Sequence, residues 1–113
     1  MRSALATLLV CLAAGGGAAQ SLPETDYALQ CRGCHGPDGA GVPGKVPSLA
    51  GVAALLETPA GRARLLAVPG VRQSSLSNER LAALLAWTAL RFAPTDSAAD
   101  FPPLSAGEVE RLR

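Results

Sequence analysis

Residues 31–35 read Cys-Arg-Gly-Cys-His, and this short segment holds the groups best suited to chemistry. Residues three apart share one face of a helix, so Cys31 and Cys34 can both reach the two vinyl groups along one edge of a porphyrin. The next residue, His35, can place an imidazole nitrogen on the iron. This spacing is the attachment signature of a c-type haem. We therefore predict one covalently bound haem c, with Cys31 and Cys34 as attachment residues and His35 as axial iron ligand.

Three other interpretations apply to a pair of cysteines at this spacing: a redox dithiol, a structural disulfide, or half of a zinc site. A thioredoxin-like dithiol normally accompanies a βαβ pattern, which this sequence does not show. A zinc site needs about four ligands, whereas the chain offers only two cysteines and one histidine once a predicted signal peptide that contains Cys11 is removed. The sequence therefore favours haem attachment.

The N-terminus has the pattern of a secretory signal peptide. Arg2 supplies a positive charge, residues 4–14 form an apolar run, and small residues at 15–19 suit cleavage near Ala19. The apolar run is shorter than the ~20 residues that a spanning helix needs, so we expect no stable membrane span. Lipid attachment at Cys11 is a weaker alternative. We predict an exported, periplasmic protein with a signal peptide over 1–19.

Length and charge limit the remaining possibilities. The chain has 10 basic and 9 acidic residues, and the basic ones form no stripe, so nucleic acid is not an expected partner. A chain of 113 residues supports one domain, which we place at 20–94, followed by a C-terminal extension at 95–113. The domain has few large side chains for a core, and a buried macrocycle would supply the missing apolar bulk.

The predicted secondary structure is helical throughout. Glycines and prolines crowd residues 36–47, which predicts a loop, and no convincing alternating strand is present. The predicted fold class is therefore all-α. Helices are expected at 24–33, from the Thr58-Pro59 start to about Ala67, at 77–92 with Ser77 as N-cap, and from Ser105 in a short final helix.

With these features in place, the chain resembles the class I, mono-haem cytochromes c of bacterial periplasmic type. The resemblance extends from the motif to Tyr27, to His-Gly-Pro-Asp-Gly-Ala-Gly at 35–41, to Pro-Ser-Leu-Ala-Gly at 47–51 and to Leu-Ser-Asn-Glu at 76–79. It implies a small fold whose N- and C-terminal helices cross near Tyr27 and Trp87 around the covalently bound haem. It also implies that 20–94 is the cytochrome c domain.

The resemblance further implies roles for individual residues. The Pro47 carbonyl would support the second ring nitrogen of His35. Tyr27, Leu49 and Val68 would belong to the haem pocket. We assign no catalytic residue, because a peroxidase-like site calls for a distal acid–base group, typically histidine, and His35 is the only histidine.

The chain departs from this family at the sixth iron position. Most members close that position with a methionine, whereas Val-Pro-Gly occupies residues 68–70 and the only methionine here is Met1, within the signal peptide. The distal ligand is then water, nothing, or an unusual group. The nominal candidates are Lys45, Gln73, Asn78 and the α-amino group of Gln20, each more simply explained as a solvated polar group.

We therefore predict a non-enzymatic, single-electron carrier that works with a redox protein partner, either a dehydrogenase or a respiratory acceptor. Two alternatives remain open. One is a haem protein with an open site that binds a small ligand of the CO or NO type. The other is a haem subunit of a dehydrogenase complex. The sequence leaves the redox potential, the partner, the oligomeric state and the role of the C-terminal extension unassigned.

Overall fold

A computed structural model describes residues 21–113. The predicted signal peptide, its cleavage near Ala19 and the candidate amino-group ligand at Gln20 lie outside the described residues. Across 21–113, no helix is both long enough and apolar enough to cross a membrane.

The described chain is built from short helices, which confirms the all-α prediction. A single isolated β-bridge, between Val42 and Val46, is the only extended pairing in this part of the chain. The elements are α1 (Leu22–Gln30), α2 (Arg32–His35), a 3₁₀ turn (Leu49–Gly51), α3 (Val52–Leu56), α4 (Pro59–Ala67), α5 (Pro69–Arg72), α6 (Asn78–Phe92) and α7 (Ala106–Leu112).

Side-chain caps start the longer helices, because a hydroxyl can satisfy a backbone N–H that has no partner within the helix. The Thr58 hydroxyl accepts from the amide of Gly61 at 3.0 Å, and the Ser77 hydroxyl accepts from the amide of Arg80 at 3.2 Å. These caps confirm the predicted starts of α4 and α6. Ser105 caps α7 through the amide of Glu108 at 3.1 Å.

Two helical segments differ from the sequence prediction. The helix expected at 24–33 begins earlier, because Ser21 caps α1 and Pro23 occupies its first turn. It is also interrupted at Cys31, whose φ of −122° lies outside the helical region, and restarts as α2. The second difference is α5, whose first residue is Pro69. The sequence predicts no helix after about Ala67 in this region, although proline is favoured at a first helical position.

The packing of α1 against α6 forms the centre of the fold. The ring of Tyr27 lies 5.4 Å from that of Trp87 and 5.1 Å from that of Phe92, between centroids. These distances confirm that the two helices cross at the predicted aromatic contact. The core extends along α6 and into α3, α4 and α7. Its other buried residues are Val52, Ala53, Leu56, Leu65, Leu66, Leu76, Leu81, Ala82, Leu84, Leu85, Ala89 and Val109.

An ion pair between Asp26 and Arg80 adds a polar tie between α1 and α6. Asp26 is 1% exposed, and Arg80 Nε donates to its Oδ2 at 3.1 Å, while Nη2 donates to Oδ1. The hydrogen bond to Asp26 is the main reason that the pKa of Arg80 is raised. A carboxylate that remains ionised at such burial needs a partner of this kind.

Candidate haem site

The Cys-x-x-Cys-His segment occupies the junction of α1 and α2. The amides of Cys34 and His35 both donate to the Cys31 carbonyl, at 3.2 and 3.0 Å, so the three residues share one helical turn. The two thiols are free, and Cys34 is exposed while Cys31 is half-buried. Burial, followed by the nearby charges of Asp26 and Cys34, raises the pKa of Cys31.

The raised pKa of Cys31 bears on the alternative interpretations of the cysteines. Reactive redox cysteines have lowered pKa values, because the thiolate is the nucleophile. The pKa of Cys31 is raised instead of lowered. Within residues 21–113, moreover, no three His, Cys, Asp or Glu side chains are grouped to hold a metal ion. A raised thiol pKa is thus not the signature of a reactive dithiol.

The imidazole of His35 is held in one tautomer by the backbone. Its Nδ1 lies 3.0 Å from the Pro47 carbonyl oxygen. A carbonyl can only accept a hydrogen bond, so Nδ1 carries the proton and donates. The lone pair of Nε2 is then available for a metal, since a neutral imidazole protonates only one nitrogen.

Residues 36–51, here called the histidine loop, fold back on His35 through backbone contacts. The amide of Gly41 donates to the His35 carbonyl at 2.9 Å, and the amide of Leu49 donates to the Gly39 carbonyl at 2.8 Å. The Tyr27 hydroxyl donates to the Gly36 carbonyl at 2.6 Å. Burial is the main cause of the raised pKa of Tyr27. The loop is thus tied to α1 as well as to the motif.

Gly41 makes the close approach of the loop possible. Its φ is +69°, a conformation that glycine adopts without a steric cost, and a Cβ here would lie 2.3 Å from the Val46 carbonyl oxygen and 2.6 Å from that of Pro47. Any larger residue would therefore displace the carbonyl that holds His35. Gly39 is equally restricted, because its Cβ would lie 2.8 Å from the ring of Phe92.

A largely apolar cavity of about 400 Å³ adjoins His35. Such a volume lies within the range of cofactor pockets. Arg64, on α4, adds a guanidinium to its edge. The cavity is lined by His35, Pro47, Ser48, Leu49, Gly51, Val52, Leu55, Arg64, Leu65, Val68 and Val71.

The structure brings together four of the residues singled out from the sequence. His35, Pro47, Leu49 and Val68 line the same cavity, and Cys31 and Cys34 lie in the turn that carries His35. Tyr27 lies apart from this lining: it is 3% exposed and packs against Trp87 and Phe92. Its contribution is to hold Gly36 at the start of the histidine loop.

Sequence reasoning missed most of the wall that α3, α4 and α5 contribute. Leu65, Val68 and Val71 recur at intervals of three residues, which is a helical spacing and a signal that could have grouped them. Val52 and Leu55 have the same spacing on α3. No pattern marked Arg64, because a single arginine on a helix is normally solvated.

These residues fit a haem. An imidazole with a free Nε2 faces an apolar space, and two thiols occupy the same turn, which is the donor set that covalent haem attachment requires. A neighbouring cavity of about 500 Å³, lined by Ala40, Pro43, Gly44, Lys45, Val46, Pro47 and Ser48, shares only Pro47 and Ser48 with this one and has no histidine in its wall.

Comparison with known proteins points to a family of haem proteins. No protein-family model matches the chain. The chain is 33% identical to cytochrome c-552 of Thermus thermophilus over 126 aligned residues, which cover 95% of this chain and 85% of that protein. The chain belongs to the c-type cytochromes. This relationship supports an electron carrier with covalently bound haem, and it agrees with the all-α fold.

Proposed function

We propose that this c-type cytochrome is an exported electron carrier with one haem, which passes single electrons between a periplasmic redox enzyme and a respiratory acceptor. Cys31 and Cys34 attach the haem, and His35 is the axial ligand. Pro47 orients His35, while Leu49 and Val68 belong to the pocket, with Tyr27 behind the loop. The likeness to cytochrome c-552 and the pattern of the first 19 residues support this assignment.

The observation that carries the proposal is the hydrogen bond from His35 Nδ1 to the Pro47 carbonyl, 3.0 Å long, beside an apolar cavity. It fixes which nitrogen is free, and it restricts rotation of the imidazole ring. A second-shell acceptor of this kind also raises the basicity of the ligating nitrogen. A histidine with a merely structural role would have no need of such a cavity.

When bound, haem supplies an iron centre that gains or loses one electron. The protein's own contribution is to keep the surroundings constant during that change. The Pro47 carbonyl holds the imidazole in position, and Leu49, Val52 and Leu65 supply apolar side chains to the cavity.

A second candidate function is the binding of a small ligand of the CO or NO type. It is favoured by one observation: Val68, which has no donor atom, lines the cavity where the resemblance calls for a methionine. The only methionine of the chain is Met1. A methionine ligand raises the haem potential, so its loss would lower the potential and leave the iron accessible.

The experiment that tests both functions is the absorption spectrum of the mature protein, oxidised and reduced, with and without CO. A six-coordinate, low-spin spectrum that ignores CO, together with rapid reversible reduction by a small-molecule donor, would support electron transfer. A high-spin spectrum with a ready CO adduct would move ligand binding ahead. A protein that cannot be reduced and reoxidised at useful rates would rule out the carrier role.

A further inference from the structure

The C-terminal segment, residues 101–113, packs against a helix that forms part of the cavity wall. We call Arg64, Leu65, Val68 and Val71 the α4–α5 wall; all four line the cavity. Helix α7 packs against both α4 and α6, and Val109 is completely buried. The segment is therefore part of the packed body at this wall.

Arg62 attaches the beginning of the wall to the C-terminal segment. It is 6% exposed, and its Nη1 contacts Glu108 Oε2 at 2.7 Å. The same guanidinium donates to the carbonyls of Pro102 and Pro103. Its Nε donates to the Leu56 carbonyl at 2.7 Å, at the end of α3. One buried side chain thus joins α3, α4 and the C-terminal segment.

Arg113 attaches the other end of the wall. Its Nη1 donates to the carbonyls of Ser74 and Leu76, and its Nη2 to the latter, all at 3.3 Å. Ser74 lies two residues after the end of α5, and its amide donates to the Val71 carbonyl at 3.1 Å. Residues 64–71 therefore lie between two attachment points, Arg62 and Ser74, that both lead to the C-terminal segment.

We propose that the C-terminal segment is a brace that positions the α4–α5 wall of the haem cavity through Arg62 and Arg113. The inference rests on the proposed function, since it takes this cavity as the haem pocket. In a chain whose only methionine is Met1, no iron–methionine bond holds this segment. The C-terminal segment holds the α4–α5 wall in place instead. Arg62, Glu108 and Arg113 are therefore positioning residues.

Two pairs of variants on α7 and its end test the brace with matched controls. Glu108→Gln removes the charge that pairs with Arg62, and Glu110→Gln makes the same change at an exposed position of the same helix. Arg113→Gln removes the second attachment. Arg111→Gln is its control, because Arg111 Nη1 donates to Gly107 within its own helix.

The measurement is hydrogen exchange of the mature, haem-loaded protein at residue resolution. The amides of Val68, Val71 and Arg72 form hydrogen bonds within the wall and report its local opening. A hydrogen bond to a charged group is worth about a tenfold to hundredfold change in such an equilibrium. We expect these amides to exchange at least about tenfold faster in Glu108→Gln and Arg113→Gln than in the two controls.

Within each variant, the exchange of the wall amides is compared with that of the α6 amides, which separates a local effect on the wall from general destabilisation. The amides of α6 serve as the internal reference, and their exchange should change less than that of the wall. Equal acceleration in α6 and the wall, or no difference between test and control variants, would overturn the brace. Arg113→Gln keeps the test available if Glu108→Gln does not fold, because Arg113 is only partly buried.

The Soret circular dichroism spectrum provides a second readout, since it responds to the packing around the haem. We expect it to change in the two test variants and not in the controls. Haem content is scored separately on the same samples. If the chain is isolated without haem and the wall amides still exchange faster in the test variants, the proposed function is overturned and the brace is supported. A haem-loaded chain without that change would overturn the brace alone.

Discussion

The histidine loop and the α4–α5 wall line the same cavity but are held by different means. The loop is held by backbone groups close in sequence, such as the Gly41 amide on the His35 carbonyl and the Pro47 carbonyl on the imidazole. The wall is held by two arginines whose partners lie about 40 positions away, at Pro102, Glu108 and Leu76. The histidine loop is thus held by groups that are close in the sequence, whereas the α4–α5 wall is held by contacts with the C-terminal segment.

This difference determines how each region should tolerate substitution. Backbone hydrogen bonds survive most side-chain changes, so the loop is sensitive mainly where a Cβ cannot fit. The wall depends on individual charged side chains and should respond to their removal. The predictions below separate the two kinds of support, and each is measured as the free energy of unfolding of the holoprotein in urea.

The largest effect is expected from Arg62→Met. The substitution leaves Glu108 without its partner and removes the donor from three carbonyls. Removing one member of a buried pair costs about 3–5 kcal/mol, and we expect about 4 kcal/mol here. Arg72→Met, on α5 but exposed and outside the lining of the cavity, should change stability by less than about 0.5 kcal/mol. Equal effects would contradict a specific role for Arg62.

The next effect is expected from Gly41→Ala, which tests the loop. Gly41 and Gly44 both have positive φ, at +69° and +75°, but only Gly41 lacks room for a Cβ. The left-handed conformation alone costs about 1–2 kcal/mol for alanine, which is the whole effect expected for Gly44→Ala. Overpacking adds about 1–3 kcal/mol, so Gly41→Ala should cost about 3 kcal/mol.

The Gly41→Ala variant should also alter the haem spectrum, because the Pro47 carbonyl would be displaced from His35. Gly44→Ala should leave that spectrum unchanged. Two variants with the same stability and the same spectrum would show that the loop does not depend on this close approach.

The smallest effect is expected from Tyr27→Phe, and it depends on pH. At pH 8 the loss of the hydrogen bond to the Gly36 carbonyl should cost about 1 kcal/mol. Burial raises the pKa of Tyr27 above its ordinary value of 10.0, so the unfolded chain loses this proton first as the pH rises. The contribution of Tyr27 is complete below about pH 10 and declines above it.

The stability gap between the wild-type protein and Tyr27→Phe should therefore narrow above about pH 10. Stability curves of the two proteins between pH 8 and 11 measure it. A gap that stays constant or widens over this range would contradict a buried, neutral Tyr27.

The sequence predicted the elements whose signals are local. Thr58 and Ser77 marked helix starts through short-range capping, and the aromatic contact of α1 with α6 followed from the family resemblance. The sequence did not reveal that Glu108 would pair with Arg62. Ser105 and Glu108 fit a capping box, but the structure shows Ser105 capping the Glu108 amide while the Glu108 carboxylate contacts α4.

The candidate site divides in the same way. The roles of Cys31, Cys34 and His35 were predicted from spacing, and the position of Pro47 beside His35 was implied by the resemblance. Arg62 gave no sequence signal, because an arginine on a short helix is normally solvated and its burial depends on acceptors supplied by a distant segment. Long-range polar contacts of this type require the tertiary structure.

The most direct test of the account is the pyridine haemochrome spectrum of the denatured protein after acid–acetone extraction, with the chain produced alongside a c-type haem attachment system. The account predicts one haem per chain retained through both cysteines, and complete loss of haem in the Cys31→Ala, Cys34→Ala double variant. Haem that is extracted from the wild-type chain, or retained in the double variant, would contradict covalent attachment at this motif.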